Sequence, residues 1–136
     1  MIRLGAGIIT TKADVDTLVF DWGTSNILSE PAVTQAQRHS FGIVEVAPGG
    51  GHERHNHPGT EEIIYVVSGE GEQMIDDQPP VSVGPGACIF IPDGVYHSTL
   101  NTGSGPMQII VVYAPVGAER LLREIPGCRI VSPEQE

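Results

Sequence analysis

Short runs of β-branched and apolar residues, each ended by a cluster of Gly, Pro, Asn or Asp, recur through this chain. The spacing predicts strands near Thr17–Trp22, Phe41–Ala47, Glu62–Val67, Gly71–Ile75, Val81–Val83, Ala87–Ile91, Tyr96–Leu100 and Met107–Ala114. The breaks carry turn chemistry: Pro48-Gly49-Gly50-Gly51, Ser68-Gly69-Glu70-Gly71, Gly84-Pro85-Gly86 and Pro92-Asp93-Gly94. Many short strands at regular spacing fold into an all-β sandwich or barrel. One segment differs. Ala118–Ile125 is built of helix formers, places Leu121, Leu122 and Ile125 on one face, and is ended by Pro126-Gly127. It predicts a short C-terminal helix over an open end or edge of the barrel. Met1–Thr10 admits a strand, Ser29–Ser40 reads as a polar loop, and Ser132–Glu136 as a frayed polar tail.

A chain of 136 residues holds one domain, residues 1–136, with room for one real core. No apolar run reaches the ~18 residues of a membrane span, and the start lacks the pattern of a secretory signal. The expected address is the cytoplasm. Net charge is −10, from 17 acids against 7 bases. No basic stripe is present, and Arg38 and His39 stand apart in a polar loop, so nucleic acid is excluded as a partner. Two cysteines do not make a disulfide framework in a domain this size. Cys88, in an apolar strand, reads as a small buried hydrophobe. Cys128 sits in a Pro-Gly-Cys turn and is a candidate reactive thiol.

The chemistry lies in two clusters. The first holds His52, His55, His57, Glu61 and Glu62; the second holds His97. His-x-His puts two imidazoles on one face of a strand, because side chains alternate at period 2. With Glu62 and His97, one small divalent cation gains four candidate donors. Imidazole plus carboxylate suits Fe, Mn, Ni, Zn, Co or Cu. Three His and one Glu leave positions free on an octahedral ion, which marks a catalytic site, whereas structural zinc is usually closed and rich in Cys.

The spacings fit two motifs. Gly49, His55, His57, Glu62 and Gly69 follow G-x5-H-x-H-x4-E-x6-G over residues 49–69. Gly86, Pro92, Gly94, His97 and Asn101 follow G-x5-P-x-G-x2-H-x3-N over residues 86–101. These resemble the two signature motifs of the cupin superfamily, with no signature position missing. The resemblance implies a single cupin-type β-barrel (a double-stranded β-helix, or jelly roll). It implies metal ligation by His55, His57, Glu62 and His97, turn roles for the glycines and Pro92, and a bracing role for Asn101. Glu61 also fits a looser spacing; Glu62 is preferred because six residues then separate it from Gly69. By the same resemblance the chain is expected to pair as a homodimer, with Met1–Trp22 the candidate crossing segment.

The remaining polar groups are weaker candidates. His52 has the wrong parity to share a face with His55 and reads as exposed, with a place at the mouth as the alternative. Glu45, the only charge in its apolar strand, is a candidate general base if it lines the barrel. Gln73 and Tyr113 can orient a substrate or simply pack. Tyr65 and Tyr96 should point outward. The inward lining, Ile64 and Val66 with Ile and Val from Met107–Val112, suits a small organic substrate with one chelating head. The resemblance implies a metal-dependent enzyme on a small oxygenated molecule, with dioxygenase-like oxidation favoured. A metal-dependent isomerase, lyase or decarboxylase is the alternative, and a non-enzymatic small-molecule binder is the third reading. Family members that cleave dimethylsulfoniopropionate carry a tyrosine two residues after the Glu, where this chain has Ile64.

Overall fold

A computed structural model describes residues 1–133, so the last three residues of the expected polar tail lie outside the description. The strands in chain order are β1 (Ile2–Leu4), β2 (Gly7–Ile9), β3 (Thr17–Phe20), β4 (Gly23–Ser29), β5 (Ser40–Val46), β6 (Glu61–Ser68), β7 (Gly71–Ile75), β8 (Val81–Val83), β9 (Cys88–Ile91), β10 (His97–Asn101), β11 (Met107–Ala114) and β12 (Arg129–Val131). Two one-turn helices, α1 (Pro31–Thr34) and α2 (Ala118–Leu121), complete the order, with 3-10 turns at Lys12–Asp14 and Leu122–Glu124.

A seven-stranded sheet runs β12-β3-β4-β5-β11-β6-β9, a three-stranded sheet runs β10-β7-β8, and β1-β2 form a hairpin of their own. Every pairing is antiparallel. The two larger sheets are layers of a jelly roll and do not close into a continuous barrel. Strict alternation decides which face is buried. On β6, Glu62, Ile64 and Val66 turn inward while Ile63, Tyr65 and Val67 face out. On β11, Met107, Ile109, Val111 and Tyr113 turn inward. With Val44, Val46, Ile89 and Ile91 they form the main core, packed against Ile75 and Val83 of the opposite sheet. A second, smaller core of Leu18, Phe20, Ile27 and Leu122 lies beneath the C-terminal segment.

The strand expectations over residues 41–114 hold to within one or two residues at each end. Five readings are changed or refined. Residues 1–9 form a hairpin, and Gly23–Ser29 is a strand that buries the polar residues Ser25 and Asn26, the latter donating from Nδ2 to the Asp16 carbonyl and the Thr17 hydroxyl, so it shows no apolar alternation. The polar loop contains a helical turn at Pro31–Thr34. The C-terminal helix is a single α-turn that tightens to 3-10. Leu122 is buried and Ile125 half-buried, but Leu121 is 53% exposed. Cys88 is exposed, because Ile89 and Ile91 take the inward positions of β9.

Backbone geometry accounts for the glycine-rich corners. Gly49, Gly69, Gly86 and Gly94 all have positive φ, a region L side chains rarely enter. Gly69 is further constrained, since a Cβ there would lie 2.7 Å from Met107 Cα.

Candidate metal centre

The donors are brought together by elements that the two motifs build. Glu62 is the second residue of β6 and points inward beside Ile64. His97 opens β10, after the turn from Pro92 to Gly94. His55 and His57 do not lie on a strand, contrary to the alternation argument. The segment between β5 and β6 joins the sheets through isolated bridges, Gly51 to Leu100 and His55 to His97. His55 N–H donates to the His97 carbonyl at 3.0 Å and His97 N–H to the His55 carbonyl at 2.8 Å. Two side chains staple this segment to the second motif. Asn56 Nδ2 donates to the Gly94 carbonyl at 3.0 Å, and the Asp93 carboxylate accepts from Gly59 N–H at 2.6 Å. The two motifs are therefore locked to each other where the imidazoles converge.

One ligand atom from each of His55, His57, Glu62 and His97 lies within 4.8 Å of every other. His57, Glu62 and His97 are buried and His55 is half-buried. Glu62 Oε1 is 2.9 Å from His97 Nε2 and 3.5 Å from His57 Nε2. That pair is joined by a hydrogen bond when His97 is protonated; with the neutral ring's hydrogen on Nδ1, facing the Val95 carbonyl, Nε2 has none to donate. Both nitrogens of His57, Glu62 Oε1 and His97 Nε2 are thus buried without a hydrogen-bond partner. Leaving such groups unpaired costs on the order of 1–3 kcal/mol each. A cation at their meeting point would satisfy Glu62 Oε1, His97 Nε2 and one nitrogen of His57 together, so the donor set fits a metal.

The opposite edges of two rings are already committed. His55 Nδ1 is 2.6 Å from the Glu53 carbonyl and His97 Nδ1 is 2.9 Å from the Val95 carbonyl. Donation from Nδ1 fixes the tautomer and turns Nε2 toward the ion, the usual outer-shell arrangement for metal-binding His. Burial, with His52 close by, drives the His55 pKa down to about 3. Burial also lowers His57, partly opposed by the Glu62 carboxylate. For His97 burial acts downward, but hydrogen bonding and attraction to Glu62, with the Val95 carbonyl, outweigh it and leave the ring raised.

Glu61 is exposed, which leaves Glu62 as the carboxylate ligand. Glu45 is exposed on β5 because Val44 and Val46 occupy the inward positions, so it does not line the site. Gln73 is buried, and its Oε1 accepts from the Thr99 hydroxyl. Tyr113 is buried with its ring edge-on to His57 at 5.2 Å. Burial and the nearby carboxylates Glu62 and Glu119 push its pKa well above 10. Tyr65 and Tyr96 point out, as alternation requires. His52 departs most from the sequence reading. Its ring stacks on Trp22 at 5.5 Å and lies 3.8 Å from the His55 ring. Strand parity discounted His52, and parity fails because the segment is not a strand. The Gly49–Gly51 run just before it was the available signal.

Comparisons with known proteins agree with this geometry. A family model described as "Cupin domain" matches residues 42–113, from β5 through most of β11. Protein SchB of Streptomyces halstedii is 33% identical over 95 residues, covering 69% of this chain and 67% of that protein. Dimethylsulfoniopropionate lyase DddQ of Ruegeria pomeroyi is 37% identical over 59 residues; the match covers 43% of this chain and only 28% of the lyase. The polyketide cyclase RemF of Streptomyces resistomycificus superposes with a TM-score of 0.68 at 28% identity, covering 84% of this chain and 79% of RemF.

Proposed function

Since the chain belongs to the cupin family, we propose that it is a metal-dependent enzyme acting on a small oxygenated organic molecule without net oxidation. The observation that carries this reading is the set of four convergent donors with buried, unpartnered atoms at the mouth of an apolar cavity. A bound divalent transition metal would supply Lewis-acid polarisation of a coordinated substrate oxygen.

The chain's own residues supply the rest. His55, His57 and His97 are neutral donors once His97 has lost its proton, and Glu62 offsets part of the ion's charge. Tyr113, whose raised pKa keeps its hydroxyl protonated, is placed to donate a hydrogen bond to a substrate oxygen. His52 lies on the outer side of His55, where burial keeps its ring neutral and able to accept a proton. It takes the place of Glu45 as the candidate base. Ile64, Val111 and Ile109 exclude water around these groups.

Dioxygen chemistry, favoured on sequence grounds, would use the same open face of the ion. Of the relatives reported above, those with named activities are a lyase and a cyclase, and this supports the Lewis-acid reading over oxidation. Incubating metal-loaded protein with hydroxy acids, β-dicarbonyl compounds and zwitterionic carboxylates, with and without oxygen, tests it. Turnover that persists anaerobically is expected. Turnover that stops without oxygen, or a panel that binds but never reacts, would contradict it.

We also infer a homodimer. The β1-β2 hairpin stands apart from both larger sheets and exposes Ile2, Leu4 and Ile9 at 60%, 70% and 52%. The outer face of β6 and β9 exposes Ile63, Tyr65 and Phe90, in register across the two strands with Cys88. Copies that each carry −10 would repel one another over most of their surface, and these largely apolar patches offer contact with less of that penalty.

A further inference from the structure

We infer that a vestibule outside the metal centre is a substrate subsite, and that it selects ligands with a chelating oxygen head and an uncharged apolar body. This rests on the metal reading above and specifies the substrate class for that site.

The chamber against Glu62 and His97 is small. Its free volume is about 50 Å³, walled by Val44, Val46, Ile64, Ile109 and Val111. That is room for a few waters or one small head group; sites for whole organic ligands usually span about 300–1,000 Å³. A second cavity, of about 370 Å³, lies outside it, against Phe20, Asp21, Glu53, Arg54, Ile125 and Pro126. Trp22, His52 and His55 line both spaces, so these three rings are the partition between them. Two other large grooves, one along β8 and β9 and one beside Arg123, share no wall with the chamber. A ligand that reaches the ion and exceeds a few atoms must leave its body in the vestibule.

The walls define what that body can be. Phe20, Trp22, Ile125 and Pro126 present apolar surface. The one cation, Arg54, is already engaged: its guanidinium is 3.3 Å from Asp77 Oδ1 and lies over the Tyr96 ring at 4.7 Å. Asp21 and Glu53 are exposed carboxylates in the same wall. An anionic body would meet two like charges and a cation held elsewhere. An uncharged body packs against Phe20, Trp22, Ile125 and Pro126 without that repulsion. The Phe20–Trp22 pair is stacked at 4.6 Å with an interplanar angle of 1°, so two parallel aromatic rings form that wall.

Three hydroxamates separate head from body: acetohydroxamate, benzohydroxamate and para-carboxybenzohydroxamate. Each is titrated into cobalt(II)-loaded protein and followed by the metal's visible absorption. Benzohydroxamate should bind about tenfold or more tighter than the other two. Pro126→Glu places a charge in the vestibule at an exposed position, and should remove that advantage while leaving acetohydroxamate within about twofold. Ile125→Ser is the second variant, with the same expectation; cobalt content is measured for each. Asp21→Asn with Glu53→Gln should raise para-carboxybenzohydroxamate affinity. Equal affinities for the three probes, or Pro126→Glu and Ile125→Ser variants that retain the benzohydroxamate advantage, would overturn the vestibule alone. If none of the probes changes the cobalt spectrum, the open coordination face fails, and the functional reading fails with it.

Discussion

At the scale of single residues, the site is organised by what is left unpaired. His57 has no hydrogen-bond partner at either nitrogen, and His97 Nε2 and Glu62 Oε1 are likewise orphaned although both residues are buried. The pKa directions make this testable. His55, at about 3, is neutral well below neutral pH, and burial lowers His57 below the ordinary 6.5, so at neutral pH metal binding displaces little or no proton from them. His97 is raised above 6.5 by Glu62 and must lose its proton before it can ligate. Metal affinity should therefore weaken as pH falls through a value above 6.5, earlier than for an ordinary His. Chelator competition between pH 8 and pH 5 checks this, and a flat profile would count against His97 as a ligand. In the metal-free protein the sign is set by His55 and His57. Below 6.5 the unfolded chain binds more protons than the folded one, so stability should fall as pH drops toward the His55 value. His97 acts oppositely, its contribution being full below 6.5 and lost as pH rises through its raised value. Denaturant midpoints from pH 7 to pH 4 measure the balance. His52→Gln should keep the metal but lose turnover by roughly 100-fold, in the range of a removed general base. Unchanged turnover would return His52 to a packing role.

At the scale of elements, the second motif is held by one amide. Asn101 is fully buried, donates from Nδ2 to the Val46 and Gly105 carbonyls at 2.9 Å each, and accepts from Gly103 N–H at 2.9 Å. Asn101→Asp removes both donors and points a carboxylate at two carbonyls. It should cost about 3 kcal/mol or more, read as a lower denaturation midpoint. Gly69→Ala forces a Cβ against the Met107 backbone at positive φ, and a loss of roughly 2 kcal/mol is expected from thermal unfolding. These positions were legible in the sequence because motif spacing marks turns and their glycines. The strands from residue 41 to 114 were legible for a related reason, since alternating apolar residues there face a buried layer. Gly23–Ser29 was not, because it buries Ser25 and Asn26 where the pattern expects aliphatics. His52 and the His55–His57 pair were misassigned to strand geometry. The peptide there is tied down by Asn56, Asp93 and isolated bridges, which no periodicity reveals. Glu45 and Cys88 were judged by the apolar character of their strands, whereas alternation alone decides that both face out.

At the scale of the whole molecule, a two-layer β fold presents one ion site at its mouth and uncharged apolar faces elsewhere. If those faces pair two copies, sedimentation should give about twice the chain mass, and Tyr65→Glu with Phe90→Glu should yield monomers. A monomeric wild type would remove the dimer. The account depends above all on the four donors acting as one metal shell. The most direct measurement is elemental analysis of the purified chain beside His57→Ala, with circular dichroism to show that both are folded. The account predicts about one transition-metal ion per wild-type chain and less than about a tenth of that in the folded variant. A folded His57→Ala protein that keeps the wild-type metal content would contradict it.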